Sequence, residues 1–307
     1  MKTSARYNSA RERLQAGQTL VLDGGVSTEL ERRGISMSDE LWSGRAILDH
    51  EDAIIDMHRA YIDAGADVIT ANTYASSRLM LEPAGLEDRV EEINRRSIEA
   101  ALEARERAGT PQVLVAGAMS HMVPIAKGSY RATTPKPLPS QVMTAAFHEL
   151  AEIHASAGAD LLLLEMMSIP SRMSAMFDAL SDTPLPVWCG MSAARDEQGG
   201  LYSWHERTTP FSDIVDLAAR QHFDVLGIMH TSAELIAEAL SIMRERHKGP
   251  LMAYPDSGYL EMPHWRFVDT VTPEHFAEFA REWQEEGAQI IGGCCGLGPE
   301  HIKAIVS

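Results

Sequence analysis

The feature that most constrains the fold is an alternation of short apolar runs with amphipathic segments along the whole chain. The apolar runs predict eight strands of four or five residues, over 19–22, 67–71, 113–116, 160–164, 186–189, 224–228, 251–254 and 288–291. The segments before and between them predict helices, over 5–16, 51–64, 86–108, 140–157, 171–180, 211–221, 232–246 and 273–286. Strands that are apolar throughout, rather than alternating, are typical of a parallel sheet covered by helices.

The segments that join a helix to the next strand share one short sequence pattern. Three of them read Gly65-Ala66-Asp67, Gly158-Ala159-Asp160 and Gly287-Ala288-Gln289. A glycine directly after a helix is typical of a left-handed C-cap, so each joint predicts a helix end followed by a buried strand. Eight strand–helix units predict an α/β protein with a single (β/α)8 TIM barrel domain over residues 1–307. A doubly wound open sheet is the alternative, and the lack of a glycine-rich dinucleotide fingerprint after the first strand counts against it.

Composition narrows the classes of partner. The chain has 27 Lys and Arg against 44 Asp and Glu, a net charge of −17, which disfavours nucleic acid and anionic membranes. Its apolar runs are far shorter than a bilayer-spanning helix requires, and the polar N-terminus predicts no signal peptide. Three cysteines are too few for a disulfide framework, which predicts a reducing compartment, the cytoplasm.

The carboxyl ends of the predicted strands carry polar or metal-binding side chains. In a (β/α)8 barrel these ends form one face, where the catalytic groups lie. The side chains at these ends are Asp23, Asn72, Glu165, His230, Cys294 and Cys295. Because buried polar groups need partners, their convergence predicts a site for a small polar ligand. Structural alternatives remain: Asp23 capping the following helix, Asn72 bonding loop backbone groups, and Glu165 pairing with a core arginine.

Two adjacent cysteines, Cys294 and Cys295, follow the last strand in a glycine-rich turn over 292–296. Adjacent cysteines do not form an ordinary unstrained disulfide, but both can bind one metal ion where glycines let the backbone turn sharply. His230 falls on the same barrel face, two strands earlier. Two cysteines and one histidine with an open position form a known catalytic zinc set. The alternatives are a tight turn of small apolar residues and a hydrogen-bonded core histidine.

Other reactive side chains are predicted to have structural roles. Three histidines are predicted to lie on the surface or in loops: His121, His205 and His264. Cys189 lies inside the fifth strand and is predicted to belong to the core. Two long loops, 119–139 and 255–272, follow strands and are predicted to lie over the barrel mouth.

At these residues the chain resembles the homocysteine S-methyltransferase family. The matching segments are 23–30, 41–43, 65–74, the strand end at Glu165, 254–258, 290–296 and 299–302. They are distributed over nearly the whole chain. The resemblance implies a (β/α)8 barrel, which agrees with the strand count. It also implies a zinc-dependent enzyme that moves a methyl group from a sulfonium or quaternary-ammonium donor to a thiol acceptor, homocysteine, giving methionine.

The resemblance further implies a metal site with one substitution. The family holds zinc with three cysteines, of which Cys294 and Cys295 match two. The third belongs to a Gly-x-Asn-Cys segment after the sixth strand, and segment 227–230 here reads Gly-Ile-Met-His. The implied ligands of Zn2+ are therefore His230, Cys294 and Cys295. A neutral imidazole in place of a thiolate makes this site one charge less negative than the family's.

An acceptor pocket is implied as well. Its residues are Asp23, Gly24, Gly25, Asn72, Glu165 and Asp256. By resemblance, the catalytic carboxylates Glu165 and Asp23 hold the ammonium group of the acceptor. Backbone N–H groups near Gly24 and Gly25 hold its carboxylate.

The loops that would select the donor depart from the family. Segment 120–124 reads Ser-His-Met-Val-Pro where the family has a Gly-Pro pair. Two other functions therefore stay open at this stage. One is a divergent metal-dependent barrel enzyme acting on another methylated small molecule, such as a demethylase, and the other is a non-catalytic zinc- or thiol-binding relative. The predicted partners are a small-molecule thiol acceptor and a methyl donor, without nucleic acid or membrane, and a homo-oligomer is left open.

Overall fold

Eight parallel strands close into a barrel in the computed structural model, which describes residues 3–38, 41–124, 138–261 and 266–306. The barrel strands are β1 Leu20–Val21, β2 Val68–Thr70, β3 Leu114–Ser120, β4 Leu161–Met167, β5 Val187–Met191, β6 Val225–Ser232, β7 Leu251–Asp256 and β8 Ala288–Ile291. From β2 to β8 each strand pairs in parallel with the next, and β8 pairs with β1. A parallel bridge between Leu22 and Val68 joins β1 to β2. The predicted (β/α)8 TIM barrel is confirmed.

Helices surround this barrel and alternate with its strands. The described α-helices are α1 Ala5–Gln15, α2 Val26–Arg32, α3 Glu51–Asp63, α4 Arg78–Leu81, α5 Val90–Ala108, α6 Ser140–Ala157, α7 Pro170–Ala179, α8 Phe211–Ala219, α9 Ile236–Arg246, α10 Pro273–Glu285 and α11 Pro299–Val306. The short helices α2, α4 and α11 were not predicted. The helix predicted over 232–246 starts later, because Ser232 ends β6 and a 3-10 turn, Ala233–Leu235, precedes α9.

Five strands extend further toward the carboxyl end than their apolar runs predicted. β3 continues to Ser120, β4 to Met167, β5 to Met191, β6 to Ser232 and β7 to Asp256. In β3 the added residues stay buried, and Ser120 pairs with Glu165 of β4. The apolar runs placed the ends of these strands too early, because the sheet continues into the layer of residues that lines the barrel mouth.

Helix α1 closes the amino-terminal end of the barrel. Its buried residues include Tyr7 and Leu14, which pack with the side chains that fill the barrel interior. The Tyr7 hydroxyl accepts a hydrogen bond of 2.9 Å from the indole N–H of Trp188 on β5. Arg13 of the same helix pairs with Asp67, just before β2, at 2.6 Å. With this end closed, the carboxyl end is left for a site.

The repeated helix–strand joints share a left-handed glycine, and two of them also share a contact with the neighbouring strand. Their glycines, Gly65, Gly158 and Gly287, have φ of 105°, 99° and 94°, as left-handed C-caps require. Asp67 Oδ2 accepts the N–H of Val21 at 2.9 Å, and Asp160 Oδ2 accepts that of Val115 at 3.0 Å. In these two joints the acidic residue after Gly-Ala therefore bonds the backbone of the strand next to it.

Two antiparallel hairpins follow β5 and β7. Ala193–Arg195 pairs with Leu201–Ser203, and Tyr259–Glu261 pairs with Arg266–Val268. The predicted loop over 255–272 thus contains a hairpin. The predicted loop over 119–139 begins after Ser120, and its residues 125–137 lie outside the described part of the chain. Among the described helices, none combines the length and apolarity needed to cross a membrane.

Candidate active site

The carboxyl ends of the strands enclose one cavity of about 330 Å³. All of the side chains and glycines predicted to form the site line it: Asp23, Gly24, Gly25, Asn72, Glu165, His230, Asp256, Cys294 and Cys295. They come from β1, β2, β4, β6, β7 and β8 or from the residues directly after these strands. The structure therefore brings together every residue of the predicted site.

The donor atoms of His230, Cys294 and Cys295 form a set that fits one metal ion. Cys294 Sγ lies 3.8 Å from Cys295 Sγ and 3.8 Å from His230 Nδ1. The three donor atoms all lie within 4.8 Å of one another. Two donors of one tetrahedral zinc ion lie about 3.5–3.8 Å apart, given Zn–S and Zn–N bonds of about 2.3 and 2.0 Å. The two spacings from Cys294 are close to this range, and the chemistry of the donors suits zinc.

Backbone hydrogen bonds fix the cysteine turn after β8. The N–H of Cys294 donates to the carbonyl of Pro255 at 2.7 Å, and the carbonyl of Cys295 accepts from the N–H of Ser257 at 3.0 Å. Gly293 donates to the carbonyl of Asp23 at 2.9 Å. The turn is thus bonded to the ends of β7 and β1, so the two thiols are held against the cavity.

Gly24 and Gly25 permit the loop after β1 to pack closely against this turn. A Cβ atom at Gly24 would lie 2.2 Å from the carbonyl oxygen of Leu297, and one at Gly25 would lie 2.7 Å from that of Cys294. The N–H of Gly25 donates to the carbonyl of Leu297 at 2.9 Å. The N–H of Gly25 therefore has a partner within the fold. The backbone N–H groups that follow it, at the start of α2, have no partner within the helix.

His230 stands in an irregular part of β6. Its φ is +41°, a left-handed conformation that is uncommon for residues other than glycine. The pairing register between β6 and β7 shifts between Met229 and Ser232. A bulge of this kind re-aims a side chain, and backbone strain clusters at functional sites. The local backbone thus supports a functional role for this histidine.

A second irregularity lies beside Glu165 in β4. Met166 has φ of +58°, and the register with β5 shifts between Leu164 and Met167. The N–H of Met166 donates to the sulfur of Met229 on β6 at 2.9 Å. Met229 therefore contacts the backbone that the bulge in β4 exposes, and it links the two irregular strands.

The two carboxylates predicted to be catalytic lie in the cavity without an arginine partner in the described part of the chain. Asp23 accepts the N–H of Thr70 at 2.6 Å and its hydroxyl at 2.8 Å, yet burial raises the Asp23 pKa to about 7. Burial raises the pKa of Glu165 to about 8, with a further rise from Asp23 and a fall from His230. These environments disfavour two bare negative charges, so a ligand cation would relieve them.

Asn72 bonds protein groups with both ends of its amide. Its Oδ1 accepts from the Ser43 hydroxyl at 2.7 Å, and its Nδ2 donates to the Ser43 carbonyl at 2.9 Å. These contacts agree with the structural alternative for Asn72, in which its side chain bonds backbone groups of a loop. By holding Ser43, Asn72 positions the adjacent Trp42, which also lines the cavity.

Aromatic side chains form another wall of the cavity. Trp42 packs edge-on against Tyr74, with ring centroids 5.6 Å apart, and Trp204 packs edge-on against His230 at 5.4 Å. Sequence reasoning missed Trp204 because the hairpin before it was not predicted. A Trp-His pair in the polar segment after the fifth strand was the available signal.

The remaining reactive side chains were predicted with mixed success. Cys189 is buried in β5, as predicted, and burial raises the pKa of its thiol. His121 lies in the loop after β3, which agrees with its prediction as a surface or loop residue, but the chain folds inward there. His121 is fully buried and its Nε2 accepts the N–H of Ser168 at 3.0 Å. His205 lies in a loop but lines the cavity, and His264 lies outside the described residues.

Comparison with known proteins gives one consistent result. The model of a family described as homocysteine S-methyltransferase matches residues 20–307. Homocysteine S-methyltransferase 1 of Zea mays is 28% identical over 312 residues, covering 95% of this chain and 94% of that protein. Homocysteine S-methyltransferase YbgG of Bacillus subtilis is 28% identical over 307 residues, covering 94% and 93%. The metallated crystal structure of the homocysteine methyltransferase MmuM from Escherichia coli superposes with a TM-score of 0.79, at 29% identity, over 96% of this chain and 98% of that one.

Proposed function

Because the chain belongs to the homocysteine S-methyltransferase family, we propose that it moves a methyl group from a sulfonium or quaternary-ammonium donor to homocysteine, giving methionine. One observation carries the proposal. A donor set of two cysteines and one histidine shares a cavity with two carboxylates of raised pKa, at the carboxyl end of the barrel. The donor set suits a thiol and the carboxylates suit an ammonium group, and homocysteine contains both.

Zinc is the proposed cofactor, held by His230, Cys294 and Cys295. Bound zinc with one open position takes a thiol sulfur as its ligand and lowers the thiol pKa. The two cysteine side chains and the imidazole are held in place by the turn after β8 and by the bulge in β6. All three ligand residues line the same cavity as the carboxylates.

The ends of β1 and β4 supply the proposed contacts to the amino-acid part of the acceptor. Glu165 and Asp23 take its ammonium group, which balances the charge that burial penalises at these carboxylates. The amides of Val26 and Ser27, in the first turn of α2, take its carboxylate. These contacts orient the sulfur toward the donor.

The proposed donor site is the aromatic wall. The faces of Trp42, Tyr74 and Trp204 attract a cation by cation–π interaction, which suits a sulfonium or a quaternary ammonium group. In the reaction the acceptor sulfur forms a bond to the methyl carbon, and the bond from that carbon to the donor atom breaks. The donor atom keeps the electron pair and leaves as a neutral group.

Other aspects of the proposal follow from the whole chain. We expect it to act as a single barrel domain in a reducing compartment, the cytoplasm, because its cysteines are free. Its net charge of −17 favours small cationic donors over nucleic acid.

A donor panel tests this function. The zinc-loaded protein is incubated with homocysteine and, in turn, S-methylmethionine, S-adenosylmethionine and glycine betaine, and methionine is measured by mass spectrometry. Methionine is expected with at least one donor. Zinc binding without methionine from any donor would favour the non-catalytic alternative, and consumption of a donor without homocysteine would favour the demethylase alternative.

A further inference from the structure

Ser168 is a buried residue that bonds the residues on both sides of Trp204. We propose that Ser168 is a positioning residue for the methyl donor, because it holds the Trp204 ring in the place where the donor cation binds. The inference deepens the proposed function and rests on it. It adds a residue that does not touch the donor but determines how tightly the donor binds.

Every polar atom of Ser168 is bonded within the fold. Its N–H donates to Nε2 of His121 at 3.0 Å, and its hydroxyl donates to the carbonyl of Met166 at 2.9 Å. Its carbonyl accepts from the Ser203 hydroxyl, and its hydroxyl oxygen accepts from Nδ1 of His205 at 2.5 Å. Because Ser168 is also 0% exposed, it acts through these neighbours and not by contact with a ligand.

The direction of the bond to His205 follows from the hydrogens available. The Ser168 hydroxyl has one hydrogen, which it donates to the carbonyl of Met166, so the hydrogen between Ser168 and His205 belongs to Nδ1. Burial lowers the pKa of His205 to about 3, so the ring is neutral and has one N–H group. That N–H group is the one bonded to Ser168, and the bond fixes the orientation of the ring.

Trp204 lies between the two side chains that bond Ser168. Bonds from Ser203 and His205 to one buried residue fix the backbone on either side of Trp204, and the ring of Trp204 lines the cavity. This ring packs edge-on against His205, with ring centroids 4.7 Å apart, and against His230 at 5.4 Å. Ser168 therefore holds the segment that presents this part of the aromatic wall to the donor.

The acceptor side of the cavity is held by different contacts. Glu165 pairs in register with Ser120 of β3. The bulge in β4, between Leu164 and Met167, separates this paired part of the strand from Ser168. We therefore expect loss of the Ser168 hydroxyl to weaken donor binding and to leave homocysteine binding unchanged.

A different role for Ser168 would be to stabilise the fold alone. In either role, loss of a buried hydroxyl with two hydrogen bonds lowers the free energy of unfolding. The two roles differ in the kinetics of the donor. A purely structural role leaves the donor KM unchanged, whereas a positioning role raises it, and does so only while the Trp204 ring is present.

A double-mutant cycle separates these roles. Ser168→Ala, Trp204→Leu and the double variant are compared with the parent, and Thr144→Val is the control, because it removes a hydroxyl bond between α6 and α7. Ser203→Ala removes the other bond beside Trp204 and gives a second test if Ser168→Ala folds poorly. The donor KM is measured with S-methylmethionine, S-adenosylmethionine and glycine betaine, and homocysteine affinity is measured by calorimetry.

For each donor that the parent uses, we expect Ser168→Ala to raise the KM about fivefold and Trp204→Leu to raise it at least as much. The double variant is expected to match Trp204→Leu within about twofold, because Ser168 acts through the ring that is then absent. A parent-like donor KM is expected for Thr144→Val, and a parent-like homocysteine affinity for all variants.

A spectrum tests the link to Trp204 without turnover. In 5-fluorotryptophan-labelled protein, the 19F resonance of Trp204 is identified by its absence in Trp204→Leu. It is expected to shift or broaden in Ser168→Ala and to stay in place in Thr144→Val. An unchanged resonance in Ser168→Ala would mean that Ser168 does not position this ring.

The kinetic results that would overturn the inference are equally specific. One is an unchanged donor KM in both Ser168→Ala and Ser203→Ala, and another is a double variant in which the effects of Ser168→Ala and Trp204→Leu multiply. Either result in a parent that makes methionine overturns the inference alone. A parent that makes no methionine from any of the three donors overturns the proposed function, and the donor role of Ser168 with it.

Discussion

Acidic side chains at the two ends of the barrel have opposite surroundings. At the amino-terminal end, Asp160 pairs with Arg6 at 2.7 Å and with Arg105 at 2.8 Å, and it also accepts a backbone N–H. At the carboxyl end, Asp23 and Glu165 lack an arginine partner among the described residues, and burial raises the pKa of both. The charges at the first end are balanced within the fold, whereas we propose that those at the second bind a ligand.

The largest effect is expected from removal of the proposed metal ligands at the carboxyl end. In Cys294→Ser/Cys295→Ser, zinc measured by elemental analysis is expected to fall from about one per chain to near zero, since two of three protein ligands lose their thiolates. His230→Ala is expected to weaken zinc binding severely, and His230→Cys to retain it. Cys189→Ala is the matched control, because this thiol lies in the core. An unchanged zinc content in the double variant would mean that zinc does not bind at this end of the barrel.

The next effect concerns stability at the amino-terminal end. Asp160→Asn removes the shared partner of Arg6 and Arg105, and the free energy of unfolding is expected to fall by about 3 kcal/mol. Asp67→Asn, at a more exposed position, is expected to cost roughly 1 kcal/mol. Urea unfolding measures both. Altered homocysteine affinity in Asp160→Asn would contradict the separation of the two ends.

At the carboxyl end, Glu165→Gln tests whether Glu165 contributes to the affinity for homocysteine. Loss of a charge-assisted bond to the ammonium group is expected to weaken homocysteine binding by about 2–3 kcal/mol in calorimetry. 4-Mercaptobutyrate, which is homocysteine without its amine, is the matched ligand. Its affinity is expected to stay the same, and an equal loss for both ligands would mean that Glu165 acts on the site as a whole.

Protonation of the same carboxylates predicts a pH dependence of stability. The folded pKa values, about 7 for Asp23 and about 8 for Glu165, lie above the values in the unfolded chain. At a pH between the unfolded and the folded values, the folded state therefore binds more protons than the unfolded state. The stability that these protons contribute is fully present below the unfolded pKa values and is lost as pH rises through the folded ones. In urea unfolding of the metal-free protein, the free energy of unfolding is expected to fall as pH rises through this range. A parent-like slope in Glu165→Gln would contradict a raised pKa at Glu165.

The smallest effect is expected at the aromatic wall. Trp42→Leu removes one face for the cationic donor and is expected to raise the donor KM about fivefold, which corresponds to about 1 kcal/mol. The dissociation constant of homocysteine, measured separately, is expected to stay the same. An effect on homocysteine alone would place Trp42 in the acceptor pocket instead.

Much of the site could be predicted from the sequence, because a (β/α)8 barrel brings the residues that follow its strands to one face. Asp23, Glu165 and Cys294 each follow an apolar run, and parallel strands bring such positions to one face. Trp204 was missed because its place depends on a hairpin that periodicity did not reveal. The burial of His121 within its loop was not predicted, because a polar residue after a strand can be buried when backbone N–H groups supply its partners.

The sequence by itself determined the architecture, the carboxyl-end location of the site and the candidate metal set. Those features depend on periodicity, strand ends and residue chemistry, which are properties of local sequence. Only the tertiary structure decided that His230 adopts a left-handed backbone at a bulge, that Asn72 bonds Ser43, and that Asp256 lies 3.7 Å from His230. The reason is that these features depend on strand register and on contacts between distant segments, and a shift of one residue in register re-aims a side chain without changing the pattern of the sequence.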